Sequence, residues 1–172
     1  DLDRRKKIMS NHTATHLLHQ SLKNYLGLHI QQAGSLVDDK KLRFDLTHYE
    51  KIKQSTIDLI DSEVNKIIRE NIKLDVSIED FERAKADGAC ALFGEKYEDN
   101  VRVVSINNFS KELCGGTHVS KTGDIGLFKI ISESSVSSGV RRIEAVTGIE
   151  ALNMVRGYNN IISEIKNLFN CS

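Results

Sequence analysis

In the N-terminal stretch, Ile8, His12, Thr15 or His16, His19, Leu22 and Leu26 recur at intervals of three and four, the period of one helical face. The pattern predicts one long helix from about Asp3 to Leu26, with Gly27 as its stop. From Ile30 to Leu46, IQQAGSLVDDKKLRFDL predicts two short strands around the turn Asp38-Asp39-Lys40. Thr47 and Glu50 have the spacing of a capping box, so a second long helix is expected to begin at Thr47. Its apolar stripe is Ile57, Ile60, Val64, Ile67 and Ile68. A strand is expected over Ile72 to Ile78, and Ser77 with Asp80 offers a cap for a short helix through Ala86.

After Gly88 the period moves towards two. VRVVSI at 101–106, the segment entering Cys114, IGLFKIISE at 125–133 and VRRIEAVT at 140–147 all read as strands. Thr147 and Glu150 form a third capping box, opening a final helix that carries Leu152, Val155, Ile162, Ile165 and Leu168. The expected fold is a single α+β unit: an antiparallel sheet with helices packed on one side, and long helices at both ends. Residues 1–147 make up the working unit, and 148–172 a closing helix that leads onward.

Composition narrows the classes. The chain has 172 residues, 40% apolar and 28% charged, the balance of a globular domain able to bury a core. Lys plus Arg and Asp plus Glu are both 24, so a strongly basic nucleic-acid footprint is absent in bulk. Contact with nucleic acid must then come from local patches, Arg4-Arg5-Lys6-Lys7 or Arg141-Arg142, which taken alone read more simply as solvated surface. Three cysteines, Cys90, Cys114 and Cys171, lack a disulfide pattern, and no signal peptide, membrane-length apolar run or lipidation motif is visible. A reducing cytoplasm is the expected home, with no membrane contact. The chain opens at Asp1 in a charged helical run, as expected of a piece of something longer.

The residues with chemical potential come in two pairs. His12 and His16 stand four apart in a predicted helix, which puts both imidazoles on one face. Alone this is weak, because a helical histidine is usually surface or satisfied core. The intervening Thr13-Ala14-Thr15 also lacks the glutamate that metalloproteases of the HExxH type use as a base. The second pair, Cys114 and His118, is again four apart, but Gly115 and Gly116 between them disfavour a helix and allow a tight loop. Three nitrogens and one sulfur suit a borderline-soft ion such as Zn(2+), and two pairs from distant elements complete a tetrahedron.

NHTATHLLHQSL, GSLVDDKKLRFDL, CALFGEKYEDNVRVVSI, KELCGGTHVSKTGDIGLFKIISE and GVRRIEAVTG together resemble the editing domain of alanyl-tRNA synthetase. The resemblance extends to the free-standing AlaX trans-editing proteins and to the editing domain of threonyl-tRNA synthetase. It implies His12, His16, Cys114 and His118 as zinc ligands, and Gln32 and Cys114 as catalytic positions. Ser35 is implied as a sensor of a substrate hydroxyl, with Arg141 and Arg142 near the tRNA end. The implied substrates are Ser-tRNA(Ala) and Gly-tRNA(Ala). The aminoacylation part of such a synthetase, and its oligomerising C-terminal part, are not in this sequence.

The need for such a site follows from physical chemistry. A pocket that admits alanine rejects glycine by only about 1–3 kcal/mol and serine by about a hundredfold, so a second, hydrolytic site must supply the rest. Zinc could activate water or orient the ester, whereas four protein ligands favour a closed structural shell. No carboxylate stands inside either ligand motif, so the sequence assigns no general base. The rival readings are a tRNA-binding module with purely structural zinc and, more weakly, a metalloprotease.

Overall fold

A computed structural model describes residues 1–91 and 97–169; of the CALFGEKYEDN motif, 92–96 lie outside the described residues, as does Cys171. The chain runs α1 (Leu2–Leu26), β1 (Gln32–Val37), β2 (Leu42–Thr47), α2 (Gln54–Arg69), β3 (Asp75–Asp80), α3 (Phe81–Ala86), β4 (Asn100–Ile106), β5 (Ser110–Leu113), a 3-10 turn, β6 (Phe128–Ser137), β7 (Val140–Thr147) and α4 (Gly148–Leu168). The α+β class is as expected. The antiparallel strands, however, form two sheets and not one: β1-β2-β7-β6 and β3-β4-β5.

The four-stranded sheet turns Leu42, Phe44, Leu46, Ile143 and Ala145 towards α1 and α2, which bring Leu17, Leu18, Leu22, Ile60 and Val64 into the same buried core. Burying each such side chain contributes about 1.5–3 kcal/mol. The strand β4 joins this core to a second one. Its Val104 and Ile106 belong to the large core, while Val101 and Val103 pack with Ala84, Ala89 and Leu113 under α3. Alternation along a strand sends consecutive residues to opposite faces, and β4 is apolar on both.

Two of the expected caps are replaced by other contacts. The helix α2 starts at Gln54, because Thr47 ends β2, where its hydroxyl donates to the His29 carbonyl and accepts from the Gln31 amide. Thr147 precedes α4 without capping it; its hydroxyl meets Asn11 of α1 instead, and Glu150 pairs with Lys7. In both cases a tertiary partner won over the local box. For α3 the cap is Asp80, whose carboxylate accepts from the Arg83 amide.

Burial along α1 is uneven. Residues 2–7 are exposed, whereas most of 11–19 is buried, so the helix enters the core close to His12. At the other end only Ala151 of α4 is buried, and Leu152, Val155, Ile162 and Ile165 are partly open to solvent. Among the described residues, no helix is long and apolar enough to cross a membrane.

Candidate metal centre

The helix α1 carries His12 and His16, and the loop leaving β5 carries Cys114 and His118. One donor atom from each of the four lies within 4.8 Å of all the others. The Cys114 Sγ is 3.5 Å from His12 Nε2 and 3.3 Å from His118 Nε2. His12 and His118 rings are 4.4 Å apart, and His16 is 5.3 Å from His12. The two sequence pairs therefore meet at one point, from segments about a hundred residues apart.

Each half reaches this geometry by different means. The helical pair needs only the α-helical period. The loop pair needs Gly116: a Cβ there would lie 2.0 Å from Cε1 of His12, inside any allowed contact. At Gly115 a Cβ would meet nothing within 4 Å. Arg102 on β4 then ties the loop down, donating through Nη1 to the carbonyls of Cys114 at 2.6 Å and Gly116 at 2.9 Å. The Gly116 amide donates to the Cys114 sulfur at 3.4 Å, a contact that favours a thiolate.

Around the four donors stands a set of groups that fixes ring orientation. Thr13 donates its hydroxyl proton to the Met9 carbonyl, so it accepts from the Val119 amide and from Nδ1 of His118 at 3.1 Å. That places the proton on Nδ1 and leaves the Nε2 lone pair of His118 facing Cys114. His16 presents Nε2 to the Glu112 carboxylate at 3.7 Å, and its Nδ1 is buried with no hydrogen-bond partner among the described residues. A buried, unpaired imidazole nitrogen is costly unless something occupies its lone pair, and a metal ion fits that role. Glu112 also accepts from Nδ1 of His19 at 3.1 Å.

Electrostatics favour neutral, ligand-ready rings. Burial, reinforced by the His16 charge, lowers His12 from 6.5 to about 4. Burial, with His16 and His12 alongside, lowers His118 to about 2. His16 is lowered by burial too, against the opposing pull of Glu112. Burial alone would raise the Glu112 carboxyl, but His16, His19 and Lys23 outweigh it and hold it below its ordinary value.

Glu112 is the residue that motif reading passed over, since it stands two places outside the Cys114 motif. A usable signal existed: along a strand, Glu112 and Cys114 fall on one face by the period of two. Arg102 and Thr13 carry no such signal, because their roles arise from contacts across the fold.

The remaining expected site residues sit elsewhere. Gln32 is half-buried opposite Leu46, and Ser35 is exposed opposite Phe44. Residues opposite one another share a sheet face, here the face from which the Phe44 ring meets His19 of α1 at 5.1 Å. Neither polar side chain forms a hydrogen bond within the described residues. Arg142 is held by a two-point pair with Asp45, at 2.7 and 2.8 Å, which lowers the Asp45 carboxyl. Arg141 is bonded to Glu133 in a largely buried pair. A cleft of about 200 Å³ is lined by Tyr97, Glu98, Asn100, Arg102, Cys114 and Gly115.

An α+β chain with a partly buried three-nitrogen, one-sulfur donor set has a side-chain cluster that could hold a transition-metal ion. Residues 101–144 match the family described as threonyl and alanyl tRNA synthetase second additional domain, so the chain carries a segment related to the synthetase editing domains. That segment supplies Cys114, His118, Glu112, Arg102 and both arginines of β7; His12, His16, Gln32 and Ser35 lie outside it.

Proposed function

We propose that this chain is the editing domain of an alanyl-tRNA synthetase, hydrolysing Ser-tRNA(Ala) and Gly-tRNA(Ala) at a zinc centre held by His12, His16, Cys114 and His118. The observation that carries the reading is the convergence of those four donors beside a segment of the editing-domain family. Zinc held there would supply Lewis-acid polarisation of the ester or a water of lowered pKa. The chain's own groups orient the donors: Glu112 through His16, Thr13 through His118, Arg102 through the loop. Glu112 is committed to two imidazoles and acts by positioning, not as a base. In this reading residues 1–147 form the editing unit and 148–172 the helix leading out of it.

Selection falls to β1. Gln32 and Ser35 share the sheet face turned to α1, and their polar groups would pair with the serine hydroxyl. Once a bound ester covers them, a polar group left unpaired would cost about 1–3 kcal/mol, so alanine would be disfavoured about tenfold or more, while glycine, which lacks the hydroxyl too, would be removed through the room it leaves in the pocket. Arg141 and Arg142 stand at the start of β7, beyond β2 from this strand: Arg141, opposite Leu46, shares the Gln32 face and would support the tRNA end of the pocket, while Arg142, opposite Asp45, lies on the other face. Incubating the chain with Ser-, Gly- and Ala-charged tRNA(Ala) tests the reading: the first two esters are lost and the third persists. If all three survive in zinc-loaded protein, the reading fails. Four protein donors also suit a closed structural shell. Zinc-loaded protein that binds tRNA without cleaving any ester would establish that alternative.

A further inference from the structure

The first two turns of α1 carry Arg4, Arg5, Lys6 and Lys7 on a stretch of helix that stands clear of the core. Two of these cations are already matched: Arg4 lies 3.6 Å from Asp39, and Lys7 lies 3.1 Å from Glu150. Arg5 and Lys6 have no carboxylate within ion-pair distance among the described residues. Asp1 and Asp3 share the segment, and Asp1 is engaged in capping the Arg4 amide. The two unmatched cations flank the loop that bears His118. Arg5 lines a cleft of about 220 Å³ with Arg4, Ile8 and Thr117, where Asp1 is the one acid. Lys6 lines a second, of about 430 Å³, with Met9, Val119 and Ser120, where Asp124 is the one acid.

Position along the helix adds direction. Arg5 precedes His12 by seven residues, two helical turns, so it stands on the same face roughly 10 Å along the axis. We infer that Arg5 and Lys6 form a phosphate guide, gripping the backbone of an RNA 3′ end as its terminal ester enters the metal centre. The inference rests on the functional reading above. It differs from the expectation for the Arg141-Arg142 patch, whose guanidinium groups are spent on Glu133 and Asp45. A guanidinium and an ammonium free of protein carboxylates are the groups able to replace counterions on a phosphate chain.

The test compares the 172-residue chain with its Arg5→Ala/Lys6→Ala variant on two substrates: serine-charged tRNA(Ala), and the seryl ester of adenosine, which has the same ester and no phosphate. The ratio of kcat/KM for tRNA to that for the adenosine ester should fall about tenfold or more in the variant, through KM. The slope of log affinity for uncharged tRNA against log salt should flatten by about 1.4, two phosphates at roughly 0.7 each. Equal losses on both substrates, or an unchanged ratio and slope, overturn the guide. If polyglutamate of matched charge displaces tRNA as well as competitor RNA does, the patch is a general surface for acidic chains and the RNA assignment falls. If the unaltered chain cleaves neither ester, the functional reading fails, and the salt slope alone then decides whether Arg5 and Lys6 hold phosphates.

Discussion

The two halves of the candidate metal centre present donors at the same spacing of four residues, yet they differ in what holds them. His12 and His16 are carried by a helix whose period alone aligns them. Cys114 and His118 are carried by a loop that exists in its shape because Gly116 lets His12 pass and Arg102 clasps two carbonyls. Equal spacing in sequence therefore conceals unequal dependence on the rest of the molecule. The helical half is local, and the loop half is borrowed from β4 and α1.

The strongest attack on this contrast is Gly116→Ala. The added methyl collides with His12, so metal affinity should drop by more than the roughly 10–100-fold that follows loss of an outer-shell partner. Gly115→Ala, one residue away and open to solvent, should retain metal. A chelator-competition titration of the two proteins separates them, and equal affinities would show that the loop adapts without strain.

Arg102→Met tests the borrowed support more gently. Both carbonyl contacts vanish while β4 keeps its apolar stem, and affinity should fall about tenfold to a hundredfold. Glu112→Gln belongs in the same range, since an amide in place of the carboxylate would orient His16 without a charge. Should Arg102→Met bind metal as tightly as the parent, the loop is held by its glycines alone.

A smaller effect concerns protons. His12, His16 and His118 are all lowered, so they are neutral well below the pH at which ordinary imidazoles give up their proton. Between about pH 5.5 and 7, zinc uptake should then release no proton from His12 or His118, whose lowered values lie below that window. Release of three or four protons in a weakly buffered titration would show rings that are charged before metal arrives.

The smallest effect lies outside both halves. Asp45→Asn breaks the pair with Arg142 on the four-stranded sheet, costing about 1 kcal/mol or less at neutral pH for a partly solvated pair. Because the Asp45 carboxyl is lowered in the fold, its contribution is present above its ordinary value near 4 and is lost as pH falls through the folded value. Urea midpoints at pH 7 and pH 3 should therefore differ less in the variant than in the parent, with metal content unchanged.

Much of the centre was legible because both pairs announce themselves by spacing and chemistry. The elements of α1, β4, β6 and β7 were legible for a similar reason, namely sustained periods of 3.6 or two. What failed was local signal contradicted by distant contact. Thr47 and Thr147 each sit at the head of a plausible capping box, and each spends its hydroxyl elsewhere. The split into two sheets was hidden because nothing in the spacing of Val101, Val103, Val104 and Ile106 says which strands pair, and only pairing reveals that the two faces of β4 serve different cores. Gln32 and Ser35 read as pocket residues through resemblance, and the bulge between Gln32 and Gly34 is what turns Gln32 to the Leu46 face.

His12 and Cys114 are 102 positions apart, and the four donors make no covalent link between their segments. A metal joining them would be a reversible staple. A permanent cross-link closing a loop of that length removes about 4–5 kcal/mol of conformational freedom from the unfolded chain in the entropic picture. A coordinated ion imposes a related restriction on the docked helix and loop, and a chelator can withdraw it. Withdrawal of such an ion would thus loosen the attachment of α1 to the loop after β5, making the stability of the fold answer to metal supply.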